Sequence, residues 1–93
     1  MTIEQESPLK NTVESGKNFR VILPENHTTG YIWILSPSFD TEKIDYQNAV
    51  WHGNEKGVYY NFAALEKGTT TLNFTLIKHQ DTSAIKSFIV EIK

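Results

Sequence analysis

The chain has 93 residues and a net charge of −2, with 39% hydrophobic and 22% charged residues. That length fits a single domain, 1–93, and the balance excludes both a disordered chain and a basic nucleic-acid-binding surface. There is no cysteine, so the fold must rest on burial and backbone pairing, and thiolate chemistry is excluded.

The dominant hydrophobic period is two, the mark of half-buried strands. Residues 1–7, Met-Thr-Ile-Glu-Gln-Glu-Ser, are polar and acidic and unlike a secretory signal. No apolar run is long enough to cross a membrane as a helix. A cytoplasmic location is expected, or a vesicular or secreted one if a signal has been removed. A weak strand is expected at Leu9–Val13. Phe19, Val21 and Leu23 alternate with Arg20 and Ile22, and Tyr31, Trp33 and Leu35 follow as the next set, which marks Trp33 as a core residue. The stretch Thr41–Asp45 fits either a short strand or a helical turn, and Trp51, beside His52-Gly53, falls in a predicted loop. Tyr60 and Phe62, then Leu72, Phe74 and Leu76, then Phe88, Val90 and Ile92 complete the pattern. Turn signals such as Ser15-Gly16-Lys17, Pro24-Glu25-Asn26, His52-Gly53-Asn54, Lys67-Gly68 and Gln80-Asp81 separate these runs. The expected fold is all-β, an immunoglobulin-like sandwich of about 7–8 strands.

Catalytic chemistry has little support. No serine sits in a Gly-x-Ser-x-Gly turn, and no glycine-rich phosphate loop or paired carboxylates stand out. His27, His52 and His79 are isolated in sequence, without metal-ligand spacing. The chain is therefore expected to be no enzyme and to need no metal or cofactor.

One segment has a definite local physics: Asn26-His27-Thr28-Thr29-Gly30-Tyr31, followed by Ile32-Trp33. Asn26 can bond the backbone two residues on. Thr28 and Thr29 are stiff at χ1, and Gly30 permits the positive φ that returns the chain to a strand. These features describe a narrow tip presenting hydroxyl and amide groups. Composition alone leaves open a plain turn between strands.

The segment resembles the Asn-Pro-Thr-Thr-Gly-Tyr/Phe signature of the chagasin family, inhibitors of papain-like cysteine proteases, at five of its six positions. The similarity extends from about Val13 to Ile92 and includes the glycine and aromatic run Gly57–Gly68 and the strand Thr71–Leu76. It implies three binding loops at one end of the sandwich, between strands B and C, D and E, and F and G. The first, Asn26–Tyr31, would enter the protease cleft with Thr28 and Thr29 beside the catalytic cysteine and histidine. The second, Trp51–Gly57, and the third, Lys78–Ser83, would grip the cleft walls. The protease-binding residues so implied are Asn26, His27, Thr28, Thr29, Gly30, Tyr31, Trp51, Gly53, Gly57, Lys78, His79 and Gln80. The implied partner is a papain-like, cathepsin L- or B-like protease, bound reversibly and competitively by a monomer, with no nucleic acid or membrane. Three departures stand out. His27 replaces the proline, only the outer glycines Gly53 and Gly57 stand where Gly-x-Gly-Gly is usual, and Lys78-His79-Gln80 aligns with Arg-Pro-Trp. These weaken the second and third loops and leave a non-inhibitory, immunoglobulin-like binding or carrier module as the alternative. Placed on the wedge, His27 is expected to meet the protease's imidazolium and to weaken binding in acid. Asn26-His27-Thr28 is also a glycosylation sequon, and a glycan there would cap the wedge.

Overall fold

The computed structural model describes residues 1–79 and 81–93. Among them are seven strands: β1 (Lys10–Val13), β2 (Asn18–Leu23), β3 (Ile32–Leu35), β4 (Ile44–Trp51), β5 (Val58–Ala64), β6 (Gly68–Lys78) and β7 (Asp81–Ile92). They form two sheets, one in the order β2-β5-β4 and the other β1-β7-β6-β3. β1 runs parallel to β7, and the other pairings are antiparallel. This is the immunoglobulin-like sandwich that the period-two pattern predicts.

Alternation produces the packing directly. β5 buries Val58, Tyr60, Phe62 and Ala64 and turns Tyr59, Asn61 and Ala63 outward. Phe62, Phe74, Leu23, Ile44, Leu72, Val13, Val21 and Val90 are the largest fully buried side chains. Phe74 meets Tyr60 edge-on at 4.9 Å and so bridges the two sheets, while Phe19 stacks on Phe62 at 5.3 Å and Phe74 meets Phe88 at 5.8 Å, each within one sheet.

Three sequence expectations need correction. First, Thr41–Asp45 is neither the short strand nor the helical turn alone. Asp40 organises a turn, its carboxylate accepting from the Glu42 N–H at 2.9 Å and pairing with Lys43 at 3.2 Å, and an eight-residue strand follows. β4 escaped the pattern search because only Ile44 of its eight residues is buried and a bulge breaks its register between Tyr46 and Asn48. Second, Trp51 is the last residue of β4, opposite Val58, and not a loop residue. Third, Lys78–Ser83 is not an extended loop. Lys78 pairs with Asp81 and Ile77 with Thr82, so the ladder continues almost to the turn, and Ser83 is the extra residue of a bulge. Gln80 itself lies outside the described residues. The polar N-terminus also contributes to the core. Ile3 is 2% exposed, held where Ile3 N–H donates to Arg20 O and Arg20 N–H donates to Met1 O. The chain then crosses to the other sheet, with buried Asn11 bonding both the N–H and the C=O of Gln5 as well as Ile89 O.

Tyr60 ties the sheets together at the free edge of β3, its hydroxyl donating to Trp33 O at 2.8 Å. Burial, reinforced by the nearby Tyr46 and Glu25, pushes the Tyr60 phenol up from 10.0 to about 12. The folded state thus favours the neutral phenol. Between pH 10 and about 12 the unfolded chain gives up this proton first, so the stabilisation is complete below pH 10 and is lost as pH rises toward 12. Tyr60→Phe is expected to cost about 1–2 kcal/mol at neutral pH and to flatten that alkaline loss. Urea melts of both proteins across the alkaline range check this.

Candidate functional site

The segment between β2 and β3 closes on itself. His27–Thr29 form one 3₁₀ turn capped by Asn26, whose φ of −107° is extended. Asn26 Oδ1 accepts from the Thr28 N–H at 3.0 Å and from the Thr28 hydroxyl at 2.6 Å. Asn26 O accepts from the Thr29 hydroxyl at 2.8 Å. Gly30, at φ +81°, ends the turn in the left-handed conformation. Asn26, His27, Thr28, Thr29 and Gly30 are all exposed and Tyr31 is half-buried. Both threonine hydroxyls therefore serve the loop itself.

The base of this tip is anchored from four directions. Trp33 Nε1–H donates to Pro24 O at 2.8 Å and Trp51 Nε1–H donates to Glu25 O at 3.0 Å, so the two tryptophans of the chain clamp consecutive carbonyls. The Glu25 carboxylate is buried. Its Oε1 accepts the Trp33 N–H at 2.8 Å, and its Oε2 lies 2.8 Å from His27 Nε2. The His27 ring also stacks on Trp51, with centroids 3.9 Å apart and planes 12° from parallel. The His27 side chain nevertheless stays 42% exposed, with Nε2 turned toward Glu25 and one ring face against Trp51. Glu25 had no motif to mark it. Its position in a turn signal, two residues before a histidine, gave no sign of its burial.

The two neighbouring connections meet the tip. In the β4–β5 connection, Asn54 Oδ1 accepts the His27 N–H at 3.0 Å. That connection is closed by Gly57 N–H donating to Gly53 O at 2.9 Å and His52 N–H donating to Gly57 O at 2.8 Å. Gly53 and Gly57 both have positive φ, +99° and +82°. At the β6–β7 turn, Lys78 lies alongside Gly30 and places its ammonium 5.4 Å from the Tyr31 ring centroid. His79 is exposed in a left-handed conformation, φ 57°, an uncommon choice for a residue with a side chain. The structure thus brings together at one end Asn26–Tyr31, Trp51, Gly53, Gly57, Lys78 and His79. Trp51 is 43% exposed, with its indole N–H committed internally.

The sequence matches the chagasin family peptidase inhibitor I42 over residues 12–92. The chain belongs to the chagasin family. Membership makes it a peptidase inhibitor and not an enzyme. Solved structures that share the fold include two cases worth comparing. The crystal structure of EhICP2, a cysteine protease inhibitor from Entamoeba histolytica, superposes with a TM-score of 0.79 at 17% identity, covering 100% of this chain and 92% of that one. The solution structure of amebosin gives a TM-score of 0.62 at 18% identity, covering 100% of this chain and 95% of the other. No curated protein is a significant match to the sequence.

The two glycines of this chagasin-family member's second loop are not equivalent. A Cβ on Gly57 would lie 2.1 Å from the Leu23 carbonyl oxygen, whereas one on Gly53 would meet nothing within 4 Å. Gly57→Ala must displace backbone as well as strain φ and is expected to cost more than about 3 kcal/mol, against about 1 kcal/mol for Gly53→Ala. Chemical denaturation of the two variants tests the order.

Proposed function

We propose that this chain inhibits papain-like cysteine proteases of the cathepsin L or B type by reversible, competitive occlusion of the active-site cleft. Asn26–Tyr31 is the wedge. Trp51, Gly53 and Gly57 on one side, and Lys78, His79 and Gln80 on the other, are the flanking contacts. The observation that carries this reading is the convergence of these segments on a tip that is already closed by its own hydrogen bonds. A preformed tip limits the ordering cost of docking. It also explains how such an inhibitor escapes cleavage. The Asn26 and His27 carbonyls accept bonds within the turn, from Thr29 N–H at 3.2 Å and Gly30 N–H at 3.4 Å. A helical turn does not offer the extended strand that a protein groove takes up by backbone pairing. With their hydroxyls directed into the loop, Thr28 and Thr29 present compact, stiff surfaces to the cleft.

Action as a monomer is part of the proposal and is supported by the edge of β3. There the outward N–H and C=O of Trp33 are occupied by Glu25 and Tyr60 and are closed to a second copy. The short β6–β7 turn favours one further difference: with pairing continued to Lys78 and Asp81, the third contact is small, and the first two loops carry most of the grip.

Titration into papain with a fluorogenic substrate tests the function. Stoichiometric, competitive inhibition is expected. Thr28→Ala/Thr29→Ala, which removes both hydroxyl bonds to Asn26 along with the tip surface, is expected to weaken it by about tenfold or more. Binding to papain with its activity intact would instead support the carrier-module reading.

A further inference from the structure

Glu25 stands apart from the other acidic residues. Among the described residues it is the buried carboxylate, with a side chain 7% exposed. A buried charge is costly unless it is paired and fully hydrogen-bonded. Here the two oxygens divide their work. Oε1 takes the backbone N–H of Trp33 in β3, and Oε2 faces the His27 ring on the tip. An ionised carboxylate can only accept, so it fixes the imidazole with its Nε2–H toward Glu25. The held ring lies flat on Trp51 at the end of β4, and Trp51 in turn donates to the Glu25 carbonyl. The circuit Glu25–His27–Trp51–Glu25 is closed, and Asn54 fastens the His27 backbone to the second loop.

Too deep to touch a partner itself, Glu25 reaches the surface only through His27. We propose that Glu25 is the positioning residue of the wedge: through His27 and Trp51 it joins the first and second loops into one rigid docking edge. This rests on the inhibitory reading given above. A free His27 would leave the tip to sample several orientations, and affinity falls in proportion to the fraction of molecules in the competent one. The clasp does by side-chain contacts what a proline at the first position of the turn would do through its fixed φ.

The test measures inhibition of papain together with the indole Nε1–H resonance of Trp51 in ¹H–¹⁵N spectra, where it is resolved from that of Trp33. Glu25→Ala and His27→Ala are each expected to raise the inhibition constant about tenfold and to alter the Trp51 signal in the same way. The double variant is expected to be no worse than Glu25→Ala, because both changes open one clasp. Glu25→Gln, which offers an acceptor to Trp33 and a partner to His27, is expected to retain most of the inhibition. The deciding comparison is the alanine coupling together with rescue by glutamine, since His27→Pro would also remove the N–H that Asn54 accepts. A merely structural role for Glu25 would lower thermal stability without tying its effect on inhibition to His27. The proposal is overturned if the two alanine effects multiply in the double variant, or if Glu25→Gln inhibits as poorly as Glu25→Ala. Should Glu25→Ala fail to fold, an unchanged inhibition constant and Trp51 signal in His27→Ala would overturn it equally. Should the wild type leave papain fully active, the inhibitory reading fails by itself, and the Trp51 signal still decides whether Glu25 holds the stack.

Discussion

A sheet has to end somewhere, and this one ends at Trp33. β3 is the outer strand of its sheet, paired only with β6. In an antiparallel strand the N–H and C=O of one residue point to the same side. At Trp33 they point out of the sheet, where burial makes unpaired polar groups costly. Glu25 satisfies the N–H and Tyr60 the C=O, each at 2.8 Å. The first partner comes from the segment that launches the Asn26–Tyr31 tip and the second from the opposite sheet. The closure of the sandwich edge and the posture of the loop are consequently one problem with one solution.

That coupling explains why the tip can be small and still rigid. The His27–Thr29 turn has no buried residue of its own and draws little from hydrophobic packing. Its order comes from the Asn26 cap, from the Pro24 and Glu25 carbonyls held by two indoles, and from a histidine pinned between a carboxylate and an aromatic plane. Each link alone contributes on the order of 1 kcal/mol. Their value lies in constraining the same few dihedral angles. The departure from the family's proline at His27 is therefore not simply a loss of stiffness, because this side chain supplies contacts that proline lacks.

The three loops are also unequal in how they are built. The first and second share hydrogen bonds and a ring stack, whereas the third is a strand turn whose Lys78 leans over Gly30 and Tyr31. β6 and β7 extend their pairing to Lys78 and Asp81 because β-branched residues continue on both strands to that point. A bulge at Ser83 absorbs the offset. What a longer loop would spend on reach is used here on ladder hydrogen bonds.

By itself, the sequence determined whatever depends on neighbours along the chain. Alternation on β2, β5, β6 and β7 assigns each side chain to a face because the strand period is two. The cap at Asn26 and the left-handed Gly30 act within four residues, so their chemistry is readable from the hexapeptide alone. Tertiary structure decided what depends on distant partners. Ile3 is buried because β2 offers it an edge. β4 is a strand because β5 pairs with it, and Trp51 is an anchor of the loop base because Glu25 lies 26 residues away in sequence but 3.0 Å away in space. Glu25 itself was invisible for the same reason. A glutamate in a turn carries no mark of burial until the Trp33 N–H, the His27 ring and the Trp51 indole close around it.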